Sequence, residues 1–259
     1  MKIAHEAPLC IFDKVQQRTD YDYALVHLFE ESEEYYDIFN EALAEGREVI
    51  LDNSIFELGE AFNGQQYHKW VVKLNPTYYI VPDVLNDGRA TIDSFDSYMS
   101  SYSNVDSKVI AVAQGSDYDD FVNCYNYFAN DSRVDKIAIS FDYPWYLMPG
   151  VSKWYSYMLG RQTLIKKMNA EGLINTDKPH HLLGCSLPQE FAAYKDYNWI
   201  DSVDTSNPVV HGIKGLRYDN NGLSTKESAK LFTMIEEDVV DCWDDIEYNI
   251  DMFRKFCNG

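Results

Sequence analysis

Basic residues are scarce in this chain: its 259 residues hold 22 Lys and Arg against 42 Asp and Glu, a formal net charge of −20 at pH 7. Nucleic-acid backbones are held largely by Lys and Arg, so a sequence of pI near 4.5 is excluded as a general polyanion binder, though a local basic surface is compatible with it. Cysteine is equally thin. Cys10, Cys124, Cys185, Cys242 and Cys257 are odd in number and scattered, with no CxxC and no Cys/His cluster at ligand spacing. Reduced core thiols are expected, and neither a structural zinc nor any other metal or cofactor is. No apolar run approaches the roughly 18 residues of a membrane span. The opening MKIAHEAPLCIFDK lacks the apolar block and cleavage site of a secretory signal. A cytoplasmic protein that does not engage a membrane is the expectation. Also missing are GxGxxG after the first strand candidate and GxxxxGK[ST], which leaves dinucleotide and P-loop chemistry unsupported. No Pro/Ser-rich linker and no sequence repeat divides the chain, so residues 1–259 read as one domain.

What is present is a globular composition, 46% apolar and 15% aromatic. From about residue 22, short apolar runs alternate with longer helical patterns. The strand candidates are ALVHLF (24–29), EVILD (48–52), TYYIVPD (77–83), KVIAVAQG (108–115), KIAISFD (136–142), HHLLGC (180–185) and NWIDSVD (198–204). Most are continuous apolar runs, as parallel strands buried on both faces require. Between them, 32–46, 89–102, 118–131 and 153–172 carry apolar residues at helical spacing. The piece 209–222 either contains an eighth strand or is an active-site loop. After it, Ser224 and Glu227 form a capping box that predicts a helical C-terminal segment over 224–257. Seven or eight such units in this length fit an α/β fold of the (β/α)8 TIM-barrel type, typically about 250 residues, with a helical C-terminal extension.

In such a barrel the chemistry sits at the C-terminal ends of the strands. There the sequence places Asp52, Asp83, Gln114-Gly115, Gly184, Asp201 and Asp204. Any one Asp after a strand is a good helix cap. Carboxylates and a carboxamide at several strand ends together suggest a site that reads a polar, amide-containing ring and uses a carboxylate as nucleophile or acid/base. Asp201 and Asp204 point to opposite faces of a strand, and Asp204, nearer the end, is the candidate for the site.

These blocks resemble the tRNA-guanine transglycosylases (queuine tRNA-ribosyltransferases) and their phage and bacterial DNA-modifying relatives. LDNSIFE (51–57) resembles the family's segment with the general-base Asp and an aromatic beside the base pocket. VPDVLND (81–87) resembles the block whose Asp reads the guanine edge, and AVAQGSD (111–117) the block whose Gln-Gly contacts the base carbonyl. HLLGCSLPQEF (181–191) and IDSVDTSNPV (200–209) are similar to the strand-six pattern and the stretch with the nucleophilic Asp. The blocks keep family order over 50–209. The chain departs from the family at Asn53-Ser54-Ile55, where a Gly-Gly is usual, and at AISFDYPW, which replaces a glycine-rich block. It also lacks the C-terminal zinc motif and the basic excess.

The resemblance implies a pentosyltransferase. Asp204 would attack C1′ and hold the sugar covalently, and Asp52 would manage the protons of the leaving and arriving base. Asp83 and Gln114, with Gly115, would bind the guanine edge. Phe56 stacks on the ring or belongs to the core. Gly184 would line the substrate site. His211, by its position just past the strand 198–204 and not by the resemblance, either reaches a phosphate or the sugar or has an ordinary structural place. The expected ligands are guanine or a 7-deazaguanine base and DNA or tRNA, with DNA slightly favoured. Because the nucleotide must leave its stack to enter a pocket, a separate protein that delivers the nucleic acid is expected. Two other classes stay open: a nucleosidase or ribosyltransferase acting on free nucleosides or nucleotides, and a non-catalytic nucleobase-binding or accessory subunit.

Further features carry two readings each. His180-His181 begins a strand, at the end away from the site, and reads as structural or exposed before it reads as a metal ligand. Lys153, Arg161, Lys166 and Lys167 form either a phosphate patch or a solvated helix face. Tyrosines over 143–157 pack in the core or stack on extruded bases. The acidic stretch 236–251 serves a partner, solubility or phosphate mimicry.

Overall fold

Eight parallel strands form one sheet in the computed structural model, which describes residues 1–60, 62–102, 105–227 and 229–259. They are β1 (Lys2–Ala4), β2 (Asp22–Leu25), β3 (Val49–Asp52), β4 (Tyr78–Ile80), β5 (Lys108–Val112), β6 (Lys136–Ser140), β7 (His180–Leu183) and β8 (Ile200–Asp204). The order β1-β8-β7-β6-β5-β4-β3-β2, with helices between strands, is the (β/α)8 TIM-type architecture. Val49 to Asp52 are all buried, as are the last four residues of β5, which is why these runs read as continuously apolar. No helix of the described residues is long and apolar enough to cross a membrane.

Side-chain oxygens start the helices that follow the strands. Ser32, Asp87, Asp117 and Ser152 each accept the backbone N–H three residues on, at 3.1, 2.8, 3.0 and 3.4 Å. They open the helices Glu33–Ala44, Gly88–Ser101, Tyr118–Asn130 and Lys153–Ala170. The helix after β4 is thereby capped by Asp87 and not by Asp83, and the helix Asn207–Ile213 after β8 has no side-chain cap, from Asp204 or otherwise.

Three expectations are corrected. The candidate 24–29 is β2 over Asp22–Leu25, followed directly by a short helix, Leu28–Glu31. The eighth strand is β1 at the N-terminus, paired in register Lys2↔Ser202, Ile3↔Val203 and Ala4↔Asp204. Three residues are too few to show a period, and 209–222 instead opens within the helix Asn207–Ile213. The box at Ser224 starts no helix: a 3-10 turn, Leu231–Met234, intervenes, and the C-terminal helix runs Trp243–Asn258. The Glu227 N–H goes instead to His211 Nε2 (3.3 Å), and Gln189 clasps Leu223 at both its N–H and C=O. A tertiary bond thus takes the Glu227 N–H that a capping box would have used.

The described chain groups into two compact units. One comprises Met1–Asp20, Ser140–Thr176 and His181–Gly259, the other Tyr21–Ile139 and Asp177–His180; we call them the terminal and central units. In the central unit, Tyr67, Tyr79 and Tyr98 pack ring against ring, and the buried Tyr67 hydroxyl donates to a backbone carbonyl of β3 or β4. In the terminal unit the C-terminal helix buries Ile246, Ile250 and Phe253. A Cβ on Gly212 would stand 2.5 Å from Ile246, so glycine permits the close approach of the two helices. The acid of this helix is partly met within the unit, Arg18 pairing with Glu247 and Asp251, and Arg217 with Asp245.

Arg161 is neither a phosphate ligand nor solvated. It is wholly buried and donates to Glu190 Oε1 (2.6 Å) and to the carbonyls of Leu183 and Gly184 (2.8 and 2.9 Å). Lys153, Lys166 and Lys167 on the same helix are exposed. Tyr143, Tyr146 and Tyr157 are buried, the core alternative.

Candidate functional site

In the central unit hydrogen bonds tie Asp83 to Asn53 and Gln114, and Asp52 to Tyr23 and Ser54. Asp52, at the end of β3, accepts the Tyr23 hydroxyl of β2 at Oδ2 and the Ser54 N–H at Oδ1, both at 2.5 Å. The second bond bends the chain tightly, and Ser54 sits in the left-handed region at φ 60°, a conformation that costs a non-glycine residue roughly 1–2 kcal/mol. Its buried hydroxyl, 2.8 Å from His27 Nδ1, offsets that cost. A serine thus holds a backbone shape for which glycine is the usual choice. Asp83, after β4, accepts from Asn53 Nδ2 at Oδ1 (2.8 Å) and from Gln114 Nε2 at Oδ2 (2.7 Å). Burial pushes its carboxyl above the usual aspartate value, and the two carboxamides partly oppose the rise. Gln114 Oε1 in turn accepts the Asn86 N–H (3.1 Å).

Gly115 is there for packing. A Cβ would lie 2.3 Å from the Phe121 nitrogen, so only glycine lets the helix Tyr118–Asn130 fold back against the strand end. Phe56, on the helical turn Ile55–Leu58, is 46% exposed; the core alternative fails, and its ring lies at the surface.

The terminal unit holds the second cluster. Asp204, at the end of β8 and 6% exposed, receives two donors on one oxygen: His181 Nε2 at 3.0 Å and the Gly184 N–H at 3.2 Å, both to Oδ1. No donor reaches Oδ2 among the described residues. His181 is fully buried, and its Nδ1 lies 2.9 Å from the Ser202 hydroxyl. With Nε2–H on the carboxylate, a neutral ring accepts the Ser202 O–H at Nδ1, which fixes its tautomer.

His181 is the residue that sequence reasoning misplaced. Its place at the start of β7 puts it at the strand end remote from the site, yet it touches Asp204. Strands of a barrel are staggered, so counting from strand starts does not locate side chains across neighbours. A signal existed: Ser202 and Asp204 lie two apart on one strand face, and a polar residue within an apolar strand needs a partner.

Gly184 also has a conformational reason. Its φ is +63°, and a Cβ would meet the Phe141 ring at 2.6 Å. Gly184→Ala is expected to cost about 1–3 kcal/mol and to loosen the Asp204 anchor, which thermal denaturation beside the turnover rate would show.

His211 does not reach out to a sugar or phosphate. It is buried on the helix Asn207–Ile213, with Nδ1 2.9 Å from the Asn207 carbonyl and Nε2 accepting the Glu227 N–H. Both nitrogens are used, and burial lowers its pKa, favouring the neutral ring.

His5, just after β1, is buried with Nδ1 2.9 Å from the Thr205 carbonyl, and desolvation lowers its pKa to about 4. A histidine whose folded pKa lies below its unfolded value takes up its proton on unfolding. Stability is therefore complete above about pH 6.5 and declines as the pH falls toward 4. The loss for His5 is expected to reach about 3 kcal/mol, measured by urea denaturation at pH 7 and pH 4, and a His5→Gln chain should lose less over the same span.

Neither a protein-family model nor a curated protein matches this chain. Asp204 presents a carboxylate with one oxygen tethered and the other unengaged, the arrangement of an oriented nucleophile. Asp52 with the Tyr23 hydroxyl is a short O–H···O contact suited to holding or passing a proton. Asp83 with its two carboxamides is a buried polar group that can meet the N–H edge of a ring. Among the described residues no group of three His, Cys, Asp or Glu side chains is placed to hold a metal ion.

Proposed function

We propose that this chain exchanges guanine for a 7-deazaguanine base in nucleic acid, with DNA slightly favoured over tRNA. The observation that carries the reading is the asymmetric hold on Asp204: two donors on Oδ1, none on Oδ2. The tethered oxygen fixes the carboxylate while the other stays open to an approaching carbon, which suits an oriented nucleophile better than a purely binding or accessory role.

In the first half-reaction Oδ2 attacks C1′, the bond from C1′ to the base nitrogen breaks, and Asp52 supplies a proton to the departing guanine. In the second, Asp52 takes the proton from the incoming base, whose nitrogen attacks C1′ and returns the ester electrons to Asp204. Two inversions give retention, as in a retaining glycosidase. Asp83 accepts from the N–H groups of the guanine edge, and the second amide hydrogen of Gln114 is available to the carbonyl. Exposed Phe56 offers a stacking face.

One observation favours the second reading, an enzyme of free nucleosides or nucleotides: the net charge of −20 repels a polyanion but not a small substrate. Incorporation of labelled guanine and of a 7-deazaguanine base into tRNA, single-stranded DNA and duplex DNA tests the first. Label entering one polymer supports exchange and identifies the substrate. Base release from free nucleosides, with no polymer labelled even when a basic delivery protein is added, moves the assignment to the second.

A further inference from the structure

Lys226 is a cation that the reaction above does not use. It lies between the helix Asn207–Ile213 and the C-terminal helix, half-buried, with Nζ 2.7 Å from the Cys185 carbonyl oxygen. The Phe141 ring centre is 4.3 Å from Nζ and that of Trp154 is 5.6 Å. Cys185 follows β7, so the ammonium lies just beyond the C-terminal end of that strand.

Three observations set it apart from a surface lysine. First, in a chain with 42 acidic residues, Lys226 forms no ion pair among the described residues. Glu6 and Asp142 act on it only at longer range, and Asp142 accepts the Ser140 hydroxyl (2.7 Å). Of three N–H donors one is used, while burial disfavours the charged form. Second, the segment is held in place. Leu223 is bonded at both its N–H and C=O to the Gln189 side chain (3.0 and 2.7 Å), and the Glu227 N–H is bonded to His211. Third, Lys226 and Asp204 are anchored on consecutive residues: the Gly184 N–H holds the carboxylate and the Cys185 carbonyl holds the ammonium.

A phosphate ester stands only a few bonds from C1′. We propose that Lys226 binds the phosphate ester of the nucleotide whose C1′ is presented to Asp204, so that the site takes nucleotides rather than nucleosides. The inference rests on the sugar-transfer reading above. It gives an acidic protein one half-buried positive contact for the reacting nucleotide without a general polyanion surface, and it gives His211 a role in holding the lysine segment.

The test is equilibrium binding of dGMP, dTMP, deoxyguanosine and d(TGT) lacking terminal phosphates, by calorimetry, to the full chain and to Lys226→Met and Lys226→Arg. Methionine keeps the stem against Phe141 and Trp154, and arginine keeps the charge. The parent should bind dGMP at least about tenfold more tightly than deoxyguanosine. The Met variant should erase that difference and the Arg variant keep most of it. Added salt should weaken dGMP binding by the parent and have less effect on the Met variant, as expected when a charge pair is lost. Sensitivity of d(TGT) assigns the contact to an internal diester, and sensitivity of dGMP alone to a free monoester; either supports the proposal. If dGMP and dTMP bind alike and both weaken in the Met variant, the phosphate contact stands while the guanine reading fails. Unchanged dGMP affinity in the Met variant, or no nucleotide binding by the parent, overturns the proposal.

Discussion

Asp204→Asn should lower the rate of base exchange by about four orders of magnitude or more, since the amide cannot form the sugar ester. The fold should survive, because the Asn carbonyl still accepts from His181 and Gly184, the two donors that hold Oδ1. A few degrees in Tm is the expected limit of the change. Mass spectrometry of acid-quenched reactions gives an independent readout: the parent chain should carry a sugar adduct on the peptide containing Asp204, and the variant none. Exchange retained within tenfold, or an adduct on another residue, would remove Asp204 from the mechanism. Asp52→Asn should behave differently. It should still form adduct from a substrate with a good leaving group, because Asp52 handles protons and not the sugar.

Arg161→Met is expected to be the most destabilising single change, at about 3–5 kcal/mol. It leaves the fully buried Glu190 without its cation and strips donors from the Leu183 and Gly184 carbonyls. For a chain of this size that corresponds to a fall of roughly 10 °C in Tm. Tyr194 donates to the same Glu190 oxygen (2.6 Å), which limits the loss without replacing a charge. Arg161→Met combined with Glu190→Leu should recover most of the stability, because replacing both partners removes the unpaired charge. If Arg161→Met alone melted with the parent, the pair would be energetically idle. A loss of turnover beyond that expected from unfolding would show that Arg161 also sets Gly184, and through it Asp204.

Much of the architecture was legible because parallel strands leave a strong mark. Runs such as KVIAV and KIAIS are buried on both faces and need no partner to be recognised. β1 was not legible: KIA is a strand only because β8 offers it a register. The C-terminal segment misled for a related reason. A capping box is a local preference worth about a kilocalorie, and bonds from His211 and Gln189 outweigh it.

The candidate site divides the same way. Asp52, Asp83, Gln114 and Asp204 could be marked from sequence because a polar residue ending an apolar strand stands out. Their partners could not, since Tyr23, Asn53, His181 and Lys226 acquire meaning only from distance, and each has an ordinary alternative in the linear chain. His211 shows the converse: its place after the last strand suggested an exposed reach, and only the tertiary structure turned it inward onto Asn207 and Glu227.

By itself, then, the sequence determined the alternation of buried strand and amphipathic helix, and the polar character of the strand ends, because both follow from local periodicity and residue type. Only the tertiary structure decided which oxygen of Asp204 is tethered, that Arg161 is buried, and that Lys226 has no acidic partner among the described residues. These are properties of pairs remote in the chain, created by stagger, burial and desolvation, which no local pattern records.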